Sequence, residues 1–106
     1  MIELYVLRQF MAFAESGTLS EAAHILHLSQ PALSRNMKKL EEDLGISIFE
    51  RTKNKLTLNE NGIYVRFLVK KLLEDADTLP IKAQEFDRKN RTITIGICSP
   101  APMWTL

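Results

Sequence analysis

At 106 residues, 45% apolar and 25% charged, the chain has room for one small folded domain plus a helical extension, and not for two full globular domains. No apolar run approaches the ~20 residues that span a bilayer. The N-terminus Met-Ile-Glu-Leu-Tyr-Val carries no basic stretch of the kind that opens a secretory signal, and the single cysteine, Cys98, excludes an intramolecular disulfide framework, so a cytoplasmic protein with no membrane partner is expected.

Apolar side chains at Leu4, Leu7, Phe10, Met11 and Phe13–Ala14 recur three and four apart, which predicts a helix over residues 2–16. Gly17 supplies its stop. Ser20 is the expected N-cap of a second helix over residues 21–27, with Ala22, Ala23 and Leu26 facing inward. The two alanines leave room for a neighbouring helix to cross closely. His27 and Leu28 then form a tight turn, with His27 near the place where many helix-turn-helix proteins have glycine.

Ser29 is the expected N-cap of a third helix, and Pro31 falls in its first turn, where a missing N–H costs nothing. Leu33, Met37, Leu40 and Leu44 make the buried stripe of this helix, which leaves Gln30, Ser34, Arg35, Lys38 and Lys39 on other faces. Gly45 ends it. Ile46–Phe49 and Leu56–Leu58 read as two short strands around the polar turn cluster Arg51-Thr-Lys-Asn-Lys55, forming a wing.

Asn59 opens another helix as N-cap, with Glu60 in the first turn. Its apolar positions continue at Ile63, Tyr64, Phe67, Leu68, Leu72, Ala76 and Leu79, a stripe that needs a partner surface to hold a helix of that length. Residues 2–58 already supply a compact core, so a dimer seam is favoured over intramolecular packing. Pro80 predicts a kink or stop near Leu79, with residues 81–90 resuming as helix. Thr92–Cys98 reads as a strand.

Two short helices across a tight connection, the second opening with polar residues, is the layout in which a helix enters the DNA major groove. Glutamine pairs bidentately with adenine and arginine with guanine, which makes Gln30 and Arg35 candidate base readers. Ser29 and Ser34 can donate to bases or phosphates, and Lys38 can neutralise backbone charge. Between Arg35 and Lys55, six bases (Arg35, Lys38, Lys39, Arg51, Lys53, Lys55) stand against four acids (Glu41, Glu42, Asp43, Glu50), enough for one basic face on a chain whose net charge is only +1. Wing residues Arg51, Lys53, Asn54 and Lys55 can reach the flanking minor groove or backbone, and Thr18 and Ser20 at a helix start can touch phosphate. The plain alternatives are a solvated helix face, a solvated hairpin turn, and simple capping by Ser20. Glu21, His24 and His27 recur three apart but lack the further ligand that a metal site wants. No catalytic arrangement and no phosphate-binding glycine loop is visible, so neither an enzyme nor a cofactor is expected.

Ser-Gln-Pro-Ala-Leu-Ser-Arg (29–35), Leu-Glu-Glu-x-Leu-Gly (40–45) and Phe-Glu-Arg (49–51) stand in the order and spacing of the LysR-type bacterial transcriptional regulators, which the chain resembles over residues 2–79 and more loosely over 92–100. The resemblance implies a mainly α fold, a winged helix-turn-helix of three helices and a two-stranded wing (1–58), followed by a linker and dimerisation helix (59–90) and the start of an effector-binding domain (91–106). It implies a homodimer on an interrupted inverted repeat of double-stranded DNA, with the recognition helix (about 30–43, including Pro31) in the major groove. It further implies that the linker helices pair antiparallel, and it leaves a tetramer open for a full-length regulator. Ser99, after the first strand of the effector domain, is the position that transfers to small-molecule binding; most of that domain lies beyond this length of chain. The competing reading is a helical protein–protein adaptor that docks through the third helix, whereas a small-molecule-binding domain fails on length.

Overall fold

A computed structural model describes the backbone of residues 1–93 and the side chains of residues 1–90. The elements are α1 (Leu4–Ser16), α2 (Leu19–Leu26), α3 (Gln30–Leu44), β1 (Phe49–Thr52), β2 (Lys55–Leu58) and α4 (Glu60–Ile93). Residues 1–73 form one compact unit and a second begins at Glu74.

The helix ends follow local chemistry, with one change from expectation. Gly17 takes a left-handed conformation (φ 90°) and its N–H donates to the Phe13 carbonyl at 2.9 Å, which closes α1. Thr18, rather than Ser20, caps α2. Its backbone is extended, and its Oγ1 accepts from the Glu21 N–H at 3.1 Å. Ser20 already lies inside the first turn and has no cap to make. Accordingly, Thr18→Ala is expected to destabilise the domain by about 1 kcal/mol, and Ser20→Ala to stay within about 0.5 kcal/mol of the parent; urea unfolding of the two variants checks this.

His27 closes α2 in the left-handed region (φ 59°), and the following Leu28 N–H reaches back to the Ala23 carbonyl at 2.9 Å. Histidine is among the non-glycine residues found there more often than most. The turn thus closes without glycine. Ser29 caps α3 by accepting from the Ala32 N–H at 3.2 Å, and Gly45 (φ 76°) terminates it.

Phe10, Phe13, Leu33, Met37, Leu40 and Ile48 are fully buried, and Ala22 and Ala23 sit where α2 packs on its neighbours. One polar pair is built into this packing: the Asn36 amide donates to Gln9 Oε1 at 2.8 Å and ties α3 to α1.

The wing is shifted from its expected place. β1 is Phe49–Thr52, not Ile46–Phe49, because Ile48 plugs the core and the backbone ahead of Phe49 is bonded elsewhere. β1 and β2 pair antiparallel from Phe49↔Leu58 to Thr52↔Lys55. Lys53 and Asn54 are both left-handed (φ 47° and 63°), as a two-residue type I′ hairpin turn requires. The Phe49 ring meets Phe13 edge-on at 5.5 Å and Phe10 at 6.1 Å, fastening the hairpin to α1.

Asn59 caps α4 by accepting from the Gly62 N–H at 2.9 Å. Gly62 lies so close to the connection before the wing that a Cβ would collide with the Ile48 carbonyl and come within 3.0 Å of Leu58 Cβ. From there Val65, Val69 and Leu73 are buried against the core. The helix therefore covers more intramolecular surface than the little expected of it. Ile63, Tyr64, Phe67, Leu68, Leu72 and Leu79 remain exposed, with Ala76 half-buried. Pro80 does not stop the helix: α4 is assigned continuously over 34 residues through it, since the missing N–H removes one bond of a long ladder. Thr92 and Ile93 close α4 instead of opening a strand. The rest of that expected strand, 94–98, and Ser99 lie outside the described residues.

Candidate nucleic-acid interface

The side chains that α3 keeps out of the core fall into two groups. At about 100° per residue, Gln30, Ser34 and Glu41 share the flank next to the wing, while Pro31 and Arg35 lie opposite the buried Leu33–Met37–Leu40 stripe. Lys38 stands between them, and Lys39 lies beyond Arg35, away from the wing.

Two adjoining clefts separate α3 from the wing. The first, of about 220 Å³, is lined by Thr18 and Ser20 from the start of α2, Gln30 from the start of α3, and Arg51, Asn54 and Lys55 from the hairpin. The second, of about 260 Å³, is lined by Ser34, Lys38 and Glu41 of α3 together with Ser47, Glu50 and Arg51. Arg51 borders both. Leu56, paired with Arg51 across the hairpin, does so as well.

Residues distant in the sequence are thus brought onto one concave face: Thr18, Ser20, Gln30, Ser34, Lys38, Arg51 and Lys55. Arg35 and Pro31 are exposed on the outward side of the same helix, and Lys53 is exposed at the hairpin tip; none of the three lines either of these two clefts. Ser29 is committed to capping α3. The side chains of Gln30, Ser34, Arg35, Lys38, Arg51, Lys53 and Lys55 make no hydrogen bond or ion pair to other described residues. Such groups are free to meet an external partner, and the cations among them suit an anionic one.

Glu41 is the member of this face that sequence reasoning missed, having counted it only as one acid in a charge run. Its Oε2 accepts from the Ile48 N–H at 2.8 Å, the Phe49 N–H at 3.1 Å and the Ser47 hydroxyl at 3.3 Å. The available signal was positional: a carboxylate one turn ahead of a helix-ending glycine, followed by a short connection whose N–H groups need acceptors. Among the described residues no group of three or more His, Cys, Asp or Glu side chains is placed to hold a metal ion, and no helix is long and apolar enough to cross a membrane.

Residues 4–63 match the family model described as "Bacterial regulatory helix-turn-helix protein, lysR family". The chain is 32% identical over 102 residues to the uncharacterized HTH-type transcriptional regulator YbhD of Escherichia coli, covering 96% of this chain and 32% of YbhD. It is 35% identical over 97 residues to the HTH-type transcriptional regulator BsdA of Bacillus subtilis, covering 90% of this chain and 33% of BsdA. The chain therefore spans about a third of the length of these curated relatives. Among solved structures it is similar to the DNA-binding domain of CbnR in complex with DNA, with a TM-score of 0.76, 32% identity, and coverage of 81% of this chain and 99% of that one. The DNA-binding domain of BenM bound to benA site 1 DNA gives a TM-score of 0.75 at 33% identity, covering 80% and 99%.

Proposed function

The chain belongs to the lysR family of bacterial regulatory helix-turn-helix proteins, and on that premise we propose that it reads double-stranded DNA as a homodimer at an interrupted inverted repeat. Residues 1–58 form the winged reader, 59–90 the linker and dimerisation helix, and 91–106 the start of an effector-binding domain. Gln30, Ser34 and Arg35 specify bases in the major groove; Lys38, Arg51, Lys53 and Lys55 bind phosphate or the flanking minor groove. Thr18, Ser20 and Ser29 add contacts at the two helix starts, and Pro31 faces the groove beside Arg35.

One observation carries this reading. Gln30, Ser34 and Lys38 of α3 and Arg51 and Lys55 of the wing converge on adjoining clefts, and none of their polar ends is used within the described chain. The DNA complexes of CbnR and BenM, two proteins to which this fold is similar, support it. The dimer is supported by the outward face of α4, where Tyr64 is 63% and Phe67 59% exposed. Large apolar side chains in such a row normally mark an interface. The seam comprises Ile63, Tyr64, Phe67, Leu68, Leu72, Ala76 and Leu79, and a tetramer belongs to the full-length regulator. Tuning by a small-molecule effector through Ser99 and the domain that follows completes the proposal, in the cytoplasm where such DNA is found.

The test begins with selection of bound sites from random duplexes. On a selected site, Arg35→Ala is expected to cost about 1–3 kcal/mol per half-site, the value of one bidentate base contact, and to relax the preference at one position. A binding titration in which that variant keeps both affinity and site preference counts against Arg35 as a reader.

A further inference from the structure

We infer that Glu41 is a positioning residue, which holds the wing in DNA-binding register against the recognition helix; this rests on the DNA-reading assignment above. Glu41 lines the same cleft as Ser34, Lys38 and Arg51. A carboxylate in a cleft that receives phosphate repels its ligand, and of the two that line this one, Glu41 and Glu50, Glu41 is the one with a use within the protein. That use is visible in its bonds. One oxygen, Oε2, gathers the Ile48 N–H, the Phe49 N–H and the Ser47 hydroxyl.

Phe49 is the first residue of β1, and Arg51 lies two residues further along the same face of that strand. Fixing the Phe49 amide to α3 therefore fixes where Arg51 emerges relative to Gln30 and Ser34. The hairpin needs such an anchor. Its two strands have four residues each, and an isolated two-stranded hairpin is marginally stable in water. A slip of one residue would turn Arg51 to the opposite face. The other side of the connection is held from α4 and its cap: the Asn59 and Asn61 amides donate to the Ser47 carbonyl at 3.1 and 3.0 Å, and the Asn59 N–H donates to the Ile48 carbonyl at 3.1 Å. These bonds orient the connection, but among the described residues Glu41 is the one α3 side chain hydrogen-bonded to Ser47, Ile48 and Phe49.

Coupling between Glu41 and Arg51 is the measurable consequence. Salt-dependent binding to a selected duplex is compared for the parent chain, Arg51→Ala, Glu41→Ala, Glu41→Gln and the double variant Glu41→Ala/Arg51→Ala, with urea unfolding confirming each is folded. In the parent background Arg51→Ala lowers the salt slope by about 1 per protomer. In the Glu41→Ala background the same change alters affinity by less than about twofold and leaves the slope unchanged, because the arginine is no longer placed on the phosphate. Glu41→Gln keeps an acceptor oxygen and recovers part of the Arg51 effect, which carries the test if the alanine variant does not fold. Base preference at the positions read by α3 persists throughout. Additive effects of the two substitutions would overturn the inference. So would uniformly tighter binding of both Glu41 variants to any duplex, which would identify Glu41 as a charge and nothing more. Failure of the parent chain to bind any selected duplex is a different result, and removes the DNA-reading assignment itself.

Discussion

Raising the salt concentration from about 50 to about 200 mM is expected to weaken duplex binding by about a thousandfold to a hundred-thousandfold. The chain's net charge of +1 suggests no such sensitivity, but the sum conceals the arrangement. The chain presents Lys38, Arg51, Lys53 and Lys55 around the clefts and the hairpin tip, none of them in an ion pair with a described residue. Nearby acids are spoken for in two cases: Glu41 is bound to backbone and hydroxyl donors, and Asp43 lies 4.0 Å from the N-terminal amine. Four phosphate contacts per protomer in a dimer give a slope of log K against log salt of about −7, since each neutralised phosphate releases most of one condensed counterion. A titration series over salt measures it. A nearly flat response would assign α3 to a docking surface for another protein.

The second large effect concerns stability. Phe10→Ala is expected to cost about 3–5 kcal/mol, a large part of the 5–15 kcal/mol typical for a small domain. Phe10 is fully buried, and its ring stands 6.1 Å from that of Phe49. Removing it opens a cavity between α1 and the wing and takes away a contact that seats β1. The denaturant midpoint reports the loss, and duplex affinity measured where the variant is still folded reports how far the wing has loosened. A shift of less than about 1 kcal/mol would mean that Phe13, edge-on to Phe49 at 5.5 Å, and its neighbours close the space.

How much of this was legible from the residues alone depends on how many residues could fill the same role. The buried stripe of α3 was legible because apolar side chains recur there at one spacing only, whereas in α1 the expected Leu4 is 41% exposed and Val6, which that spacing left out, is buried. The cap of α2 was misread because Thr18 and Ser20 are both able cappers two residues apart; backbone geometry, not residue type, decides between them. Ile46–Phe49 looked like a strand because a short apolar run is also what a core-plugging connection contains, and Ile48 plugs the core. In α4, Val65, Val69 and Leu73 recur four apart just as Tyr64, Leu68 and Leu72 do, so periodicity cannot tell the inner face from the outer. The stop expected at Pro80 does not occur, because a single lost bond does not end a long helix. Of the candidate readers named from their place in α3, Gln30, Ser34 and Lys38 line the clefts and Arg35 lies outward of them. Glu41 was not, since a carboxylate within a charge run does not announce which N–H groups a later connection will bring to it.

Gly62 carries a consequence for the assembly. Ile48 and Leu58 leave no room for a methyl group there, so the first turn of α4 can sit on the wing connection in one rotational setting only. A helix advanced by one residue turns its faces by about 100°, which would swing Ile63, Tyr64, Phe67, Leu68 and Leu72 toward a different quarter. The glycine therefore acts as an index mark that aims the outward row. For a dimer joined along that row, the distance between the two reading helices, and with it the number of base pairs between half-sites, is fixed in part by a side chain that is not there.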